Sequence, residues 1–275
     1  MQIHDLGELR GPVLAFGGPY SNLAATRALH RRAARMGLPA GNVICTGDVV
    51  AYCAEAAETV SEIRDWGVKV VAGNCEKQLA AGALDCGCGF EDGTACDLLS
   101  AGWYAHANAA CDADARDWMG TCPDIATFTH GGRRVAVIHG GATDIARFIW
   151  PVSPESVFAE EISALRAEVG PVDMIIAGHS GIPFQRQVGE VLWLNAGVLG
   201  MPPHDGGIAT RFALLPEAGA PRIEVLDYDP APTVQAMQAA GLVQGYHAAL
   251  TSGWWPSEDV LPAELRRRNQ SLASG

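Results

Sequence analysis

Three short apolar runs within the first 75 residues are separated by two helix-spaced segments, and that alternation constrains the fold more than any other feature. It is the signature of β-α-β units around a parallel sheet. Val13-Leu14-Ala15-Phe16 reads as a buried strand; after a Gly-Gly-Pro turn, Asn22 stands where it can cap a helix over 23–36, which Gly37 ends. Residues 43–46 read as the second strand, 54–66 as the second helix and 68–72 as the third strand. In an open sheet of this kind the ligand lies at the carboxyl ends of the strands, so the loops that follow them are where chemistry is sought.

Residues 77–125 break the rhythm, mixing Gly, Cys and Asp with helical patches such as 112–119, and read as an inserted cap. The strand pattern resumes at 126–129 and 134–138 as a hairpin across Gly131-Gly132. A helix over 154–168, a strand at 174–177, a hairpin of 184–188 with 191–195, and strands at 211–215 and 222–227 follow, with helix over 233–250. No internal repeat or autonomous linker interrupts the chain. Residues 1–275 are therefore expected to form one domain carrying a Cys-rich cap insert at about 77–125.

Charge narrows the function. Nineteen Lys and Arg against 31 Asp and Glu give a formal charge of −12, a field that repels phosphate backbones and disfavours binding to nucleic-acid duplexes. The run Arg266-Arg267-Arg268 reads as a solubilising, frayed tail. No stretch reaches the roughly 18 to 20 apolar residues of a membrane span, and the start lacks the basic and apolar regions of a signal peptide. A cytoplasmic location is expected. Eight cysteines are then expected as thiols or metal ligands rather than disulfides. Cys86-Gly87-Cys88 lacks the spacing of a structural zinc knuckle, so buried thiols are the simpler reading, with a metal or redox site as the alternative.

Four loops carry the same form, an apolar strand and then a ligand-type side chain beside glycine: Gly47-Asp48, Gly73-Asn74, His139-Gly140 and Gly178-His179. Singly each is an ordinary turn; together they bring two imidazoles, a carboxylate and an amide oxygen, a donor set suited to Mn, Fe, Zn or Ni. His106 and His130 stand alone on what read as helical or hairpin surfaces, and both, like His204, read as structural.

Taken in order, these segments resemble the calcineurin-like metallophosphoesterases, whose pattern runs Asp-x-His, Gly-Asp, Gly-Asn-His-Asp/Glu, a lone His, and Gly-His-x-His. The matching segments are 16–22, Gly47-Asp48, Gly73-Asn74-Cys75-Glu76, His139-Gly140-Gly141 and Gly178-His179-Ser180-Gly181. Asn22-Leu23, the run from Gly47 to Tyr52, and Asn195-Ala196-Gly197 are similar to the small bacterial phosphodiesterase-like branch. The resemblance implies an α/β fold, a four-layer α-β-β-α sandwich of two mixed sheets. It also implies hydrolysis of a small phosphorylated molecule.

The departures are as specific as the matches. The Asp and His of the first loop fall on Gly18 and Tyr20, and the second His of the last loop falls on Gly181. In the family those side chains hold one ion of a two-metal site; the ligands of the other ion fall on Asp48, Asn74, His139 and His179, all present. One divalent transition metal per chain is therefore expected. Cys75 stands where the family has a His that contacts the phosphate, and it reads either as a buried filler or as a thiolate beside the ion. Cys75 and Tyr20 are the candidate catalytic residues. Gly17, Gly18, Tyr52 and Gly141 are candidates for holding the phosphate through hydroxyl or backbone donors, and Tyr20 serves either as such a donor or as a plug in the vacated ion position.

With one ion the symmetric clamp of a two-metal phosphoesterase is gone, so slower hydrolysis or a different reaction follows. The alternative is a catalytically inactive protein of the same fold that binds a phosphorylated ligand or partner. A thiol-based redox site is the third reading.

Overall fold

The computed structural model describes residues 1–267. In chain order the elements are β1 (Ile3–Glu8), β2 (Val13–Phe16), α1 (Leu23–Arg35), β3 (Val43–Cys45), α2 (Ala56–Trp66), β4 (Lys69–Val70), α3 (Asn74–Ala81), α4 (Ala95–Ala110) and α5 (Ala113–Thr121). There follow β5 (Ile125–His130), β6 (Arg133–Val137), α6 (Glu155–Val169), β7 (Met174–Ala177), β8 (Phe184–Val188), β9 (Val191–Asn195), β10 (Thr210–Leu215), β11 (Arg222–Leu226), α7 (Ala231–Ala239) and α8 (Tyr246–Ser252).

Two mixed sheets form, with strand orders β1-β5-β6-β7-β9-β8 and β11-β10-β2-β3-β4. The period of two along each buried strand sorts side chains into layers. Val13 and Ala15 of β2 join Phe128, Val137 and Ile176 of the facing sheet in one apolar cluster. Their neighbours Leu14 and Phe16 face the other way, into a cluster with Leu29, Val60 and Ile63 of α1 and α2. In the larger sheet Ile175 points outward to Phe158, Ile162 and Leu165 of α6. Helix, sheet, sheet and helix therefore stack in four layers. Asn22 caps α1 as its position suggested, its side-chain oxygen accepting from Ala25 N at 3.0 Å.

Several elements differ from the sequence expectation. The third strand pairs over Lys69–Val70 alone. The segment 77–125 is mostly regular helix: α4 puts Cys96, Ser100, Trp103, Tyr104 and Ala107 on one buried face, and Thr94 caps it by accepting from Asp97 N. Glycines 241 and 245, both at positive φ, divide the C-terminal helical stretch into α7 and α8. Cys86 and Cys88 are joined in a disulfide, contrary to the expectation of free thiols, because Gly87 at φ 59° folds the three-residue turn until the two Cα atoms are 5.3 Å apart. The other six cysteines are free and buried.

His130 is buried, not on a hairpin surface, with its Nε2 2.9 Å from the Gly11 carbonyl. Arg267 is anchored rather than frayed: it pairs with Glu258 at 3.1 Å and lies over the Trp254 ring. Arg268 lies outside the described residues. No helix among them is long and apolar enough to cross a membrane.

The edge strand β1 was not expected, since almost every residue in it is exposed and no apolar alternation marks it. It pairs in parallel with β5, and Asp124 fastens its start by accepting from Gln2 N at 2.6 Å while pairing with Lys77 at 2.6 Å. Burial acts to raise the Asp124 pKa, but Lys77 and the Gln2 amide outweigh it and hold the carboxyl below its ordinary value. A lowered carboxyl stabilises the fold above its unfolded pKa of about 3.9 and loses that contribution as pH falls through the folded value. Asp124→Asn is thus expected to lower Tm at neutral pH and to converge on the parent protein in acid. A Tm difference that does not shrink on acidification contradicts the clamp.

Candidate metal centre

Four strand-end loops meet at one point on the carboxyl edge of both sheets. Asp48 follows β3 and Asn74 opens α3 beyond β4, from one sheet; His139 follows β6 and His179 follows β7, from the other. His139 Nε2 lies 3.2 Å from Asp48 Oδ2, 3.1 Å from Asn74 Oδ1 and 2.9 Å from His179 Nδ1. The ligand atoms of Asp48, His139 and His179 all fall within 4.8 Å of one another, and all four residues are buried.

Second contacts fix which atoms face inward. His139 Nδ1 is 2.6 Å from the Thr46 carbonyl; the ring donates there, and in its neutral form Nε2 keeps a lone pair for the centre. Asn74 Nδ2 donates to the Cys86 carbonyl at 2.9 Å, which turns the amide oxygen inward. Two imidazole nitrogens, a carboxylate oxygen and an amide oxygen therefore aim electron pairs at one another. Such a set needs a cation or a shared proton between its members, and its softness fits a divalent transition metal.

Without an ion, the charge states favour a proton shared between His139 and Asp48. Burial alone would lower His139, but Asp48 at its side, the Thr46 carbonyl and Glu76 outweigh it and hold the ring above its ordinary pKa. Burial and the adjacent His139 pull His179 down to about 3, so it is neutral and open to a metal. For Asp48, burial is outweighed by His139, His179 and the Cys75 amide, and the carboxyl stays below its usual range.

Glu76 builds the loop that presents Asp48. It is fully buried, and its carboxylate accepts from Asp48 N at 2.7 Å, Val49 N at 2.8 Å and Gly73 N at 2.8 Å. These bonds hold Asp48 at φ 55°, a left-handed conformation that costs a non-glycine residue free energy. Tyr20, Tyr52 and His179 are held at positive φ in the same region. Glycine is needed at 47 and 73 because the loops touch: a Cβ on Gly47 would strike the Gly73 backbone and the His139 ring, and one on Gly73 would strike Asp48.

The remaining sequence candidates take distinct places. Cys75 is buried beside Asn74, whose Nδ2 lies 3.5 Å from its sulfur; burial, then Asp48 and Glu76, push the thiol well above its ordinary pKa, so it is protonated without a metal. The Tyr20 ring lies directly over Gly18, where any Cβ would collide with it. Trp255 lies over Gly181, 3.2 Å from where a Cβ would stand. Two of the three departed positions are thus covered by rings, and the third is the ring-bearing residue itself. Tyr52 packs edge-on to Tyr20 with ring centroids 4.7 Å apart. Gly17 is pressed against the Gly197 carbonyl, and Gly141 donates its N–H to Asp144 O at 3.0 Å.

Sequence reasoning named Tyr20 and Tyr52 but missed the rest of the apolar side of the site. A narrow pocket beside His179 is lined by Tyr20, Tyr52, Phe90, Phe148, Tyr246 and Trp255. Phe148 tilts against the His179 ring with centroids 4.4 Å apart. These rings come from segments spread over most of the chain and carry no common spacing.

Fold and site together define an α/β sandwich of two mixed sheets that gathers a carboxylate, an amide and two imidazoles into a group that could hold a metal ion. The chain belongs to the calcineurin-like phosphoesterase superfamily: the model of that domain matches residues 21–216. Among solved structures it is similar to a metallophosphoesterase from Sphaerobacter thermophilus, at 18% identity and a TM-score of 0.67 over 89% of this chain and 100% of that one. It is also similar to a hypothetical protein from Pyrococcus horikoshii OT3, at 13% identity and a TM-score of 0.70 over 90% of this chain and 98% of the other. At these identities the likeness concerns the fold. No curated protein sequence matches the chain.

Proposed function

We propose that the chain is a metal-dependent phosphoester hydrolase working with one divalent transition metal, held by Asp48, Asn74, His139 and His179. The observation that carries this is the convergence of those four donors next to Gly18, Tyr20 and Gly181, where the family's other ligands are replaced. When bound, the ion supplies Lewis-acid polarisation of a phosphoryl oxygen.

The chain's own groups do the rest. Ser180 lines the pocket next to His179, and its hydroxyl oxygen accepts from Asn195 Nδ2 at 3.0 Å, which leaves its O–H free to donate to a phosphoryl oxygen. Tyr20 and Tyr52 wall off the vacated ion position and keep water from filling it. Cys75 is a neutral neighbour of the metal group. The substrate is a small phosphorylated molecule, with residues 77–125 as the cap of a single domain and the cytoplasm as its compartment.

A second reading keeps the ion but turns nothing over, binding a phosphorylated ligand; the ring above Gly18 favours it. The two separate on bis(4-nitrophenyl) phosphate with added Mn. Hydrolysis that chelator abolishes, and that His179→Ala reduces to the buffer rate, supports the hydrolase. An ion-loaded protein that binds phosphate without turnover supports the second reading. Tyr20→Phe is expected to retain the ion and most of the rate, since the ring fills space; loss of all turnover would instead make its hydroxyl a direct donor.

A further inference from the structure

The pocket beside His179 has a chemistry of its own. Six aromatic rings line it, and its remaining walls are Cys96, Met201, Val260, Gly181 and two serines. Tyr52 packs against two of these rings, its ring centroid 4.7 Å from that of Tyr20 and 4.5 Å from that of Tyr246. Phe148 links this cluster to the metal group through its contact with His179 and stacks with Trp150 on its other side.

Among the described residues no Lys, Arg, Asp or Glu lines the pocket, and the one imidazole among those that line it belongs to the metal group. Two consequences follow. A bound phosphoryl group finds no side-chain cation there, so a second negative charge on it would go unpaired within a chain of net charge −12. A departing alkoxide finds no ammonium, imidazolium or carboxylic acid among the lining residues, only the weakly acidic hydroxyls and thiol of Tyr, Ser and Cys, so a leaving group that is stable as an anion is favoured. An aryl oxygen meets that need, since a phenol is about as acidic as tyrosine, with a pKa near 10.

We propose that this pocket binds the ring of an aryl phosphodiester, so that the phosphoryl group meets the metal centre and the aryl oxygen is the leaving atom. The inference rests on the phosphoesterase reading above and names the substrate class of that same site. In the reaction a water oxygen bonds to phosphorus as the bond from phosphorus to the aryl oxygen breaks. The aryl oxygen leaves with the electron pair as a phenolate. One water proton passes to solvent and the other stays on the product monoester. Phe148, Tyr246 and Trp255 set specificity by stacking on the ring; the apolar walls discriminate against small alkyl groups.

The test is binding, with no turnover required. The full chain loaded with Mn is titrated calorimetrically with methyl phenylphosphonate and with methyl methylphosphonate, monoanions whose P–C bonds resist hydrolysis. The phenyl compound is expected to bind about tenfold or more tightly than the methyl one. Phe148→Ala, at a half-buried position, is expected to narrow that gap with the ion content unchanged. Phenylphosphonate in its dianionic form is expected to bind more weakly than its methyl ester.

An ion-loaded protein that binds the phenyl and methyl compounds alike overturns the inference and leaves the phosphoesterase reading standing. A dianion that binds more tightly than its ester overturns the choice of a diester. A chain that holds no ion and binds neither compound overturns the inference together with the reading beneath it.

Discussion

His139→Ala retains no divalent ion after purification in metal-containing buffer, and His179→Ala behaves the same way. His139 Nε2 is the atom that comes within 3.2 Å of each of the other three donors, so its removal dismantles the set rather than thinning it. The ring also fills the space against which Gly47 and Gly73 are packed, and it satisfies the Thr46 carbonyl. Leaving that buried acceptor unpaired costs about 1–3 kcal/mol, so Tm falls even without added metal. Cys75→Ser and Tyr20→Phe are expected to keep the ion, since neither side chain supplies one of the four converging atoms. Metal content by elemental analysis, set beside circular dichroism to establish folding, reads the result. A folded His179→Ala protein with parental metal content would remove the basis of the assignment.

Glu76→Ala is expected to be the most damaging single change to the fold near the site. Three buried backbone amides, of Asp48, Val49 and Gly73, converge on that carboxylate. Each orphaned buried donor costs about 1–3 kcal/mol, and together they approach the total stability of an ordinary domain, about 5–15 kcal/mol. A Tm drop of about 10 °C or more, or failure to fold, follows. Glu76→Gln keeps one acceptor oxygen and turns an amide toward the remaining N–H groups, so it is expected to fall between Ala and the parent. Denaturant melts of the three proteins order them; a Glu76→Ala midpoint equal to the parent's would show that the loop holds Asp48 by other means.

The convergence of the strand-end residues was legible because their local signal and their place in the fold coincide. Gly-Asp and Gly-Asn after apolar strands mark loops that must approach each other closely, and Gly47 and Gly73 do touch, with His139 between them. Other features depend on partners that spacing does not reveal. β1 is polar and exposed, and it exists because the free edge of β5 accepts it. Helix α4 spans a segment whose Gly, Cys and Ala content blurred its period, although Trp103, Tyr104 and Ala107 share one buried face. The disulfide was set aside on grounds of compartment, whereas the turn at Gly87 decides it locally. The aromatic pocket is assembled from Tyr20, Phe148 and Trp255, residues over 100 positions apart, and only the packed sheets bring them together.

That pocket and the metal group are two halves of one account: the rings occupy the side from which a second ion's ligands are missing. Metal stoichiometry tests this most directly. The chain is freed of metal with chelator, titrated with Mn, and its bound ion counted by elemental analysis after desalting. One tightly held ion per chain is the predicted result. Two would mean that other ligands complete the site around Gly18, Tyr20 and Gly181, and none would mean that the four converging donors share a proton rather than a metal.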